Sequence, residues 1–261
     1  MTEVRVIPCL LLRRAGFVKT VRFDDPTYLG DPINIVKLFS DMEVDELGIL
    51  DITATTEGRP PQFDLLASIA DNAFMPLSYG GGLTGVDQIR RILGIGYEKV
   101  VLGTAAAERP ELVTEAARIV GSQSVVVSID AKRGLLGKYE VRIRAGRHRT
   151  RTDPVTYARQ MEERGAGEIL LTAIDRDGLM EGYDLPLIRQ VADAVTIPVI
   201  ASGGAGTLED FAAAVREGGA SAVAAGSMFV FHGRRRAVLV KFPTRAELDA
   251  VLRPLADRGR E

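Results

Sequence analysis

The chain contains no tryptophan, a single cysteine and only two histidines. One cysteine, Cys9, excludes an internal disulfide and points to a reducing compartment. Its place in the apolar run Val6–Leu12 suits a small buried strand residue better than a reactive thiol. His148 and His232 lack companions at ligand spacing, so neither a metal nor a metal cofactor is expected. No segment has the length of a membrane span or the form of a signal peptide. The run Val6–Leu12 is interrupted by Pro8 and followed by Arg13 and Arg14. Charge is not one-sided either: 33 Lys and Arg stand against 35 Asp and Glu, a formal net of −2. That balance gives no reason to expect nucleic acid or an anionic membrane as partner. A cytoplasmic protein is expected.

At 261 residues the chain is long for a generic domain and normal for one α/β barrel spanning residues 1–261. Short apolar, β-branched runs predict strands near Val4–Leu11, Glu46–Asp51, Met75–Tyr79 and Lys99–Gly103. Four more follow near Ser124–Asp130, Glu168–Ala173, Ile197–Ala201 and Ala222–Gly226. Their continuous apolarity suits parallel strands covered on both faces. Segments of helical period lie between them, with Leu112, Ala116, Ile119 and Val120 marking one apolar face. Thr84 and Thr207 read as helix N-caps, each with an aspartate three residues on, Asp87 and Asp210. Asp153 before Pro154 starts another helix.

The two halves of the chain also echo each other. Leu50–Gly58 (LDITATTEG) resembles Ile174–Gly182 (IDRDGLMEG), and Met75–Gly82 (MPLSYGGG) resembles Ile197–Gly204 (IPVIASGG). Gly103-Thr104 is matched by Gly226-Ser227. An even repeat of β/α units predicts a single (β/α)8 TIM barrel built from two similar half-barrels.

Chemistry in such a barrel sits at the C-terminal strand ends. There the sequence places Gly80-Gly81-Gly82 and Gly103-Thr104 in one half, Ser202-Gly203-Gly204 and Gly226-Ser227 in the other. Glycine lets backbone N–H groups approach an oxyanion, although any one such loop is equally well a plain tight turn. Two sets in repeat-related positions point to a ligand with phosphate at two separated points, or to a history of one. At the opposite end four strands begin with charge: Arg5, Glu46, Lys99 and Glu168. By themselves they read as an ion-pair plug, weakly stabilising once desolvation is counted. Asp51, Asp175 and Asp177 end strands two and six, where carboxylates either orient substrate or bind loop N–H groups.

These segments carry a resemblance. VIPCL, GDP at Gly30–Pro32, VDELGILDITAT, GGG, GSQSVVVSIDAKR, GAGEILLTAIDRDG, GYDL and IPVIASGGAG resemble HisF, the cyclase subunit of imidazole glycerol phosphate synthase. The match runs from about Val4 to Phe231. It implies a lyase-type subunit of a glutamine amidotransferase complex. A HisH-type glutaminase would sit at the N-terminal barrel face and deliver ammonia through the centre. On this resemblance Arg5, Glu46, Lys99 and Glu168 become the ammonia gate, Lys19 the loop lysine over the active site, and Asp130 one of two catalytic aspartates. The other aspartate position is Leu11, and leucine can neither take nor give a proton. General acid–base catalysis is typically worth about 10²–10⁴-fold. Gly103 likewise stands where the family has asparagine.

The opening IPCLLLRRAGFVKTVRF, the element DPTYLGDPIN and the ending GSMFVFHGRRRAVLVKFP resemble a divergent branch, WbuZ, the glycosyl amidation-associated proteins of surface-polysaccharide clusters. That resemblance implies acetamidino-group formation on a nucleotide sugar, with a separate sugar amidotransferase as further partner. Two alternatives stand beside it: the cyclase of L-histidine biosynthesis, and a non-catalytic scaffold that activates the glutaminase. The basic run Arg234, Arg235 and Arg236 reads first as a solvated face, and second as a docking site for a third protein or an anionic sugar nucleotide.

Overall fold

A computed structural model of the protein describes residues 4–134, 137–233 and 235–256. Eight parallel strands follow one another in chain order: β1 (Arg5–Arg13), β2 (Leu47–Asp51), β3 (Leu77–Gly80) and β4 (Lys99–Leu102). They continue as β5 (Val125–Arg133), β6 (Glu168–Ala173), β7 (Val199–Ser202) and β8 (Ala222–Ala225). β8 pairs back onto β1, Arg5 beside Ala222 and Pro8 beside Ala225, so the barrel closes. Eight helices form the outer layer: α1 (Pro32–Asp41), α2 (Phe63–Ala70), α3 (Val86–Ile95), α4 (Glu111–Val120), α5 (Pro154–Glu163), α6 (Leu185–Ala192), α7 (Leu208–Arg216) and α8 (Arg245–Ala256). This is the (β/α)8 barrel that the repeat predicts.

Helix starts follow local chemistry. The Asp153 carboxylate accepts from Thr156 N–H at 2.9 Å with Pro154 in the first turn of α5. Asp210 accepts from Thr207 N–H at 2.9 Å and completes a capping box on α7. Thr84 departs from expectation. Gly85 is the cap residue of α3, and Thr84, one position earlier, donates its N–H to Gln88 Oε1 at 2.7 Å.

Two strands also run past the barrel mouth, which the apolar runs alone did not reveal. β1 turns at Arg14 (φ 55°) into a hairpin of Gly16–Val21 and Asp24–Gly30. β5 continues into Tyr139–Ile143 and then His148–Arg149. These hairpins stand over the C-terminal end of the barrel. Arg22 N–H donates to Asp177 O at 2.9 Å and so ties the first hairpin to the β6 loop.

Two apolar layers result from strand alternation. Along β1, Val6, Leu10 and Leu12 face outward into the helix layer and are almost wholly buried. Arg5, Ile7, Cys9 and Leu11 face the barrel axis, from floor to mouth. Barrel cores are normally filled by branched side chains. Here several inward positions are small, among them Gly48, Ser78, Ala222 and Ala224. Space remains as a consequence.

Candidate active site and axial path

The four charged strand starts form a closed ring across the floor. Arg5 Nη1 reaches Glu46 at 2.5 Å and its Nη2 reaches Glu168 at 2.6 Å. Lys99 Nζ completes the ring, 3.1 Å from Glu46 and 3.0 Å from Glu168. Each cation touches both anions, so the ring is neutral.

Directly above lies an internal void, lined by Glu46 below and by Ile7, Gly48, Ser78, Leu170 and Cys9 around it. It leaves about 20 Å³ to the centre of a water-sized molecule, enough for a single one. Apart from Glu46 and Ser78 its lining is apolar. Cys9 is half-buried because it faces this hollow rather than packed side chains. Desolvation pushes its thiol up to about 12, so it stays protonated.

Cys9, Leu50 and Val101 line both the void and the pocket at the mouth. This pocket, about 170 Å³ by the same measure, gathers Leu11, Lys19, Asp51, Asp130 and Asp177. It also gathers both glycine sets: Gly80, Gly81, Gly82, Gly103 and Thr104 with Ser202, Gly203, Gly204, Gly226 and Ser227. The half-repeat survives in the backbone. Gly103 (φ −106°, ψ −97°) and Gly226 (φ −116°, ψ −71°) take nearly the same shape, and each is followed by a short helix. Gly81 and Gly204 both have φ +121°, and a Cβ would fall 2.4 Å from Asp51 O or 2.2 Å from Gly182 O. Only glycine fits at either point.

Asp130, at the end of β5, lines the pocket with a shifted carboxyl. Removal from water raises its pKa to about 7; the Ser128 hydroxyl, 3.1 Å away, opposes the shift and the Asp177 charge adds to it. Such a carboxyl exchanges a proton readily near neutrality. Leu11 lines the same pocket from β1 and gives it no second proton-transfer group there.

Lys19 stands on the first hairpin, buried, with Nζ 2.9 Å from Asp177 Oδ1 and 2.9 Å from Thr20 O. Its stem crosses Gly226, where a Cβ would lie 2.9 Å from Lys19 Cε. Asp177 therefore holds the lysine. Asp51 is held too: it accepts from Thr53 N–H at 3.1 Å and Ala54 N–H at 3.0 Å, and pairs with Arg59 at 2.8 Å. Asp175 accepts from Arg133 N–H at 2.7 Å.

Three features escaped the sequence pattern. Phe23 lines the pocket from the first hairpin, and only recognising Gly16–Val21 as a β-branched run would have brought it there. Phe74, in the loop before β3 and so on the floor side, is 91% exposed. Arg236 of the basic run reaches the Ser227 hydroxyl at 3.3 Å; Arg234 lies outside the described residues. No helix among the described residues is long and apolar enough to cross a membrane.

A closed eight-strand barrel with its pocket at the C-terminal strand ends defines the class, a (β/α)8 barrel with the architecture of an enzyme. The chain belongs to the histidine biosynthesis protein family, whose model matches residues 5–235. It is 44% identical over 232 residues, 89% of this chain and 92% of the relative, to imidazole glycerol phosphate synthase subunit HisF of Alkaliphilus metalliredigens. It is 45% identical over 249 residues, 95% and 99% of the two chains, to a Pseudomonas aeruginosa protein provisionally described as subunit hisF2 of that synthase. A Leptospira interrogans protein, provisionally described as subunit HisF, is 43% identical over 252 residues, 96% and 99% of the chains.

Proposed function

We propose that this chain is the ammonia-accepting subunit of a glutamine-dependent synthase, fed through its floor by a HisH-type glutaminase. One observation carries the reading. The inward residues of β1 line, in order, the charged floor (Arg5), the apolar void (Ile7, Cys9) and the pocket (Leu11). Ammonia needs such a path because contact with water protonates it to ammonium, which has no free lone pair for attack. An apolar lumen favours the neutral molecule. The ring of Arg5, Glu46, Lys99 and Glu168 is then a gate that must open for each turnover. Asp130 exchanges protons with the acceptor as its new C–N bond forms, while the glycine loops hold a phosphorylated ligand.

Leu11 supports an acceptor other than the cyclase substrate. Ring closure to an imidazole in this family uses two carboxylates; here Leu11 takes the place of one, and the pocket's other carboxylates, Asp51 and Asp177, are paired with Arg59 and Lys19. This favours a simpler amidination, the acetamidino-group formation on a nucleotide sugar that the branch resemblance implies, with a separate amidotransferase activating the amide. A second reading, the cyclase of histidine biosynthesis, is favoured by the names of the relatives, each a subunit of imidazole glycerol phosphate synthase.

The two are separated by purifying the chain with a HisH-type glutaminase and supplying amide-¹⁵N glutamine with the histidine-pathway ribonucleotide substrate. The amidination reading expects glutamine hydrolysis without cyclisation. Robust production of labelled imidazole glycerol phosphate overturns it in favour of the cyclase. Failure of any glutaminase to bind the floor removes both.

A further inference from the structure

We propose that Arg236 is an anion-binding residue of the mouth pocket, gripping a phosphoryl group seated over Ser227 and making the two half-barrel ends of the pocket unequal. The inference rests on the phosphate reading of the glycine loops and deepens it. After the short helix Ser227–Val230, Phe231–His232 pairs with Ala237–Val238 in a small hairpin. Arg236 sits in its turn with φ 51°. Its guanidinium lies 4.6 Å over the Phe231 ring, and Nη2 is 3.3 Å from Ser227 Oγ. Stacking on an aromatic face restricts a long side chain in advance of binding. Ser227 itself is buried and lines the pocket. Among the described residues no carboxylate neutralises Arg236; its contacts are the ring and the hydroxyl.

The repeat supplies an internal control. Thr104, which corresponds to Ser227, accepts at 2.9 Å from the backbone N–H of Arg144. The Arg144 guanidinium is turned to Glu108 at 2.7 Å and is thereby neutralised. Lys19 does not redress the balance, since Asp177 holds its ammonium. The Ser227 side thus has an uncompensated guanidinium against its hydroxyl, and the Thr104 side does not. A planar guanidinium matches two oxygens of a phosphoryl group, and such charge-assisted bonds are roughly twice as strong as neutral ones. A ligand with unequal ends is therefore oriented, its more anionic phosphoryl group at Ser227.

The test uses inorganic phosphate and the full chain, with backbone amide shifts reporting each end separately. Phosphate is expected to shift Gly203, Gly204, Gly226 and Ser227 at concentrations about tenfold below those needed at Gly81, Gly82 and Thr104. Arg236→Gln should erase that preference and leave the Gly81 and Thr104 response unchanged, with Arg236→Lys intermediate. Phe231→Leu, which keeps the charge and removes the stacking face, should weaken the Ser227 end by a smaller factor and guards against a hairpin that merely misfolds. Equal affinity at the two ends of the wild type, or a preference that survives Arg236→Gln, overturns the assignment and leaves the phosphate reading standing. Absence of phosphate binding at both ends overturns the two together.

Discussion

Lys99 on β4 and Glu168 on β6 meet across the barrel floor at 3.0 Å, although 69 residues separate them in the chain. Each also contacts a second partner of opposite sign, Glu46 and Arg5 respectively. No single pair can part without leaving a charge partly buried and half-satisfied. The four charges are therefore coupled in one ring.

Replacing Lys99 by Met leaves Glu46 and Glu168 sharing Arg5 alone. Breaking a partly buried ion pair in this way should lower unfolding stability by about 2–4 kcal/mol, read by urea denaturation at neutral pH. In the complex with a glutaminase, glutamine hydrolysis should continue while nitrogen reaching the acceptor falls. A bulky Lys99→Trp should stop transfer altogether with hydrolysis retained. Undiminished transfer in Lys99→Trp would mean that ammonia does not pass the floor.

Asp130 gives stability a distinctive pH dependence. Its pKa in the folded protein is about 7, above the ordinary carboxylate value, so the folded state favours the neutral acid. The associated stabilisation is fully present below about pH 4 and is lost as pH rises through 7. Asp130→Asn should therefore match the wild type near pH 4 and exceed its stability at pH 8.5 by about 2–4 kcal/mol. Denaturant midpoints at the two values measure the difference, and a constant offset would place the carboxyl in water. Activity that uses the proton should inflect near pH 7 and vanish in Asp130→Asn.

Leu11→Asp adds a carboxylate to the pocket at the end of β1, beside those of Asp51, Asp130 and Asp177. Its negative charge should push the Asp130 pKa higher still, because like charges disfavour ionisation of both. Carbon-13 titration of the aspartate carboxyls reads the shift directly; an unmoved Asp130 would show that the two positions do not communicate across the mouth. If that one carboxylate is all the cyclase chemistry lacks, the variant should also gain measurable ring closure over the parent.

Phe74 tests the docking face. A large aromatic side chain 91% exposed on the floor side contributes little to folding, so Phe74→Ala should change stability by no more than about 0.5 kcal/mol. Aromatic anchors dominate protein interfaces, and loss of one typically costs more than about 1 kcal/mol of binding. Affinity for the glutaminase should fall by about fivefold or more, measured by calorimetry. An unchanged affinity would move the partner off this part of the floor.

The sequence determined the barrel. Eight apolar β-branched runs at regular spacing, each short and continuous, admit parallel strands covered on both faces, and their ends lie within about three residues of the observed ones. The half-repeat of glycine loops brought both sets to one pocket because strand polarity in a closed parallel barrel leaves no other place for them. The floor charges were equally legible: Arg5, Glu46, Lys99 and Glu168 break apolar runs at the same end of four strands.

Tertiary structure decided the rest, because those features depend on distances between segments far apart in the chain. The pairing of four charges into a closed ring is one. The void is another: alternation names Gly48, Ser78 and Ala224 as inward residues only once the barrel's direction of curvature is known. The holding of Lys19 by Asp177 spans 158 residues, and the hairpin that brings it there was hidden because its outer strand, Asp24–Gly30, is mostly exposed and polar. Arg236 shows the same limit most plainly. A run of arginines reads as solvated surface, and only a turn with φ 51° aims one of them at Ser227.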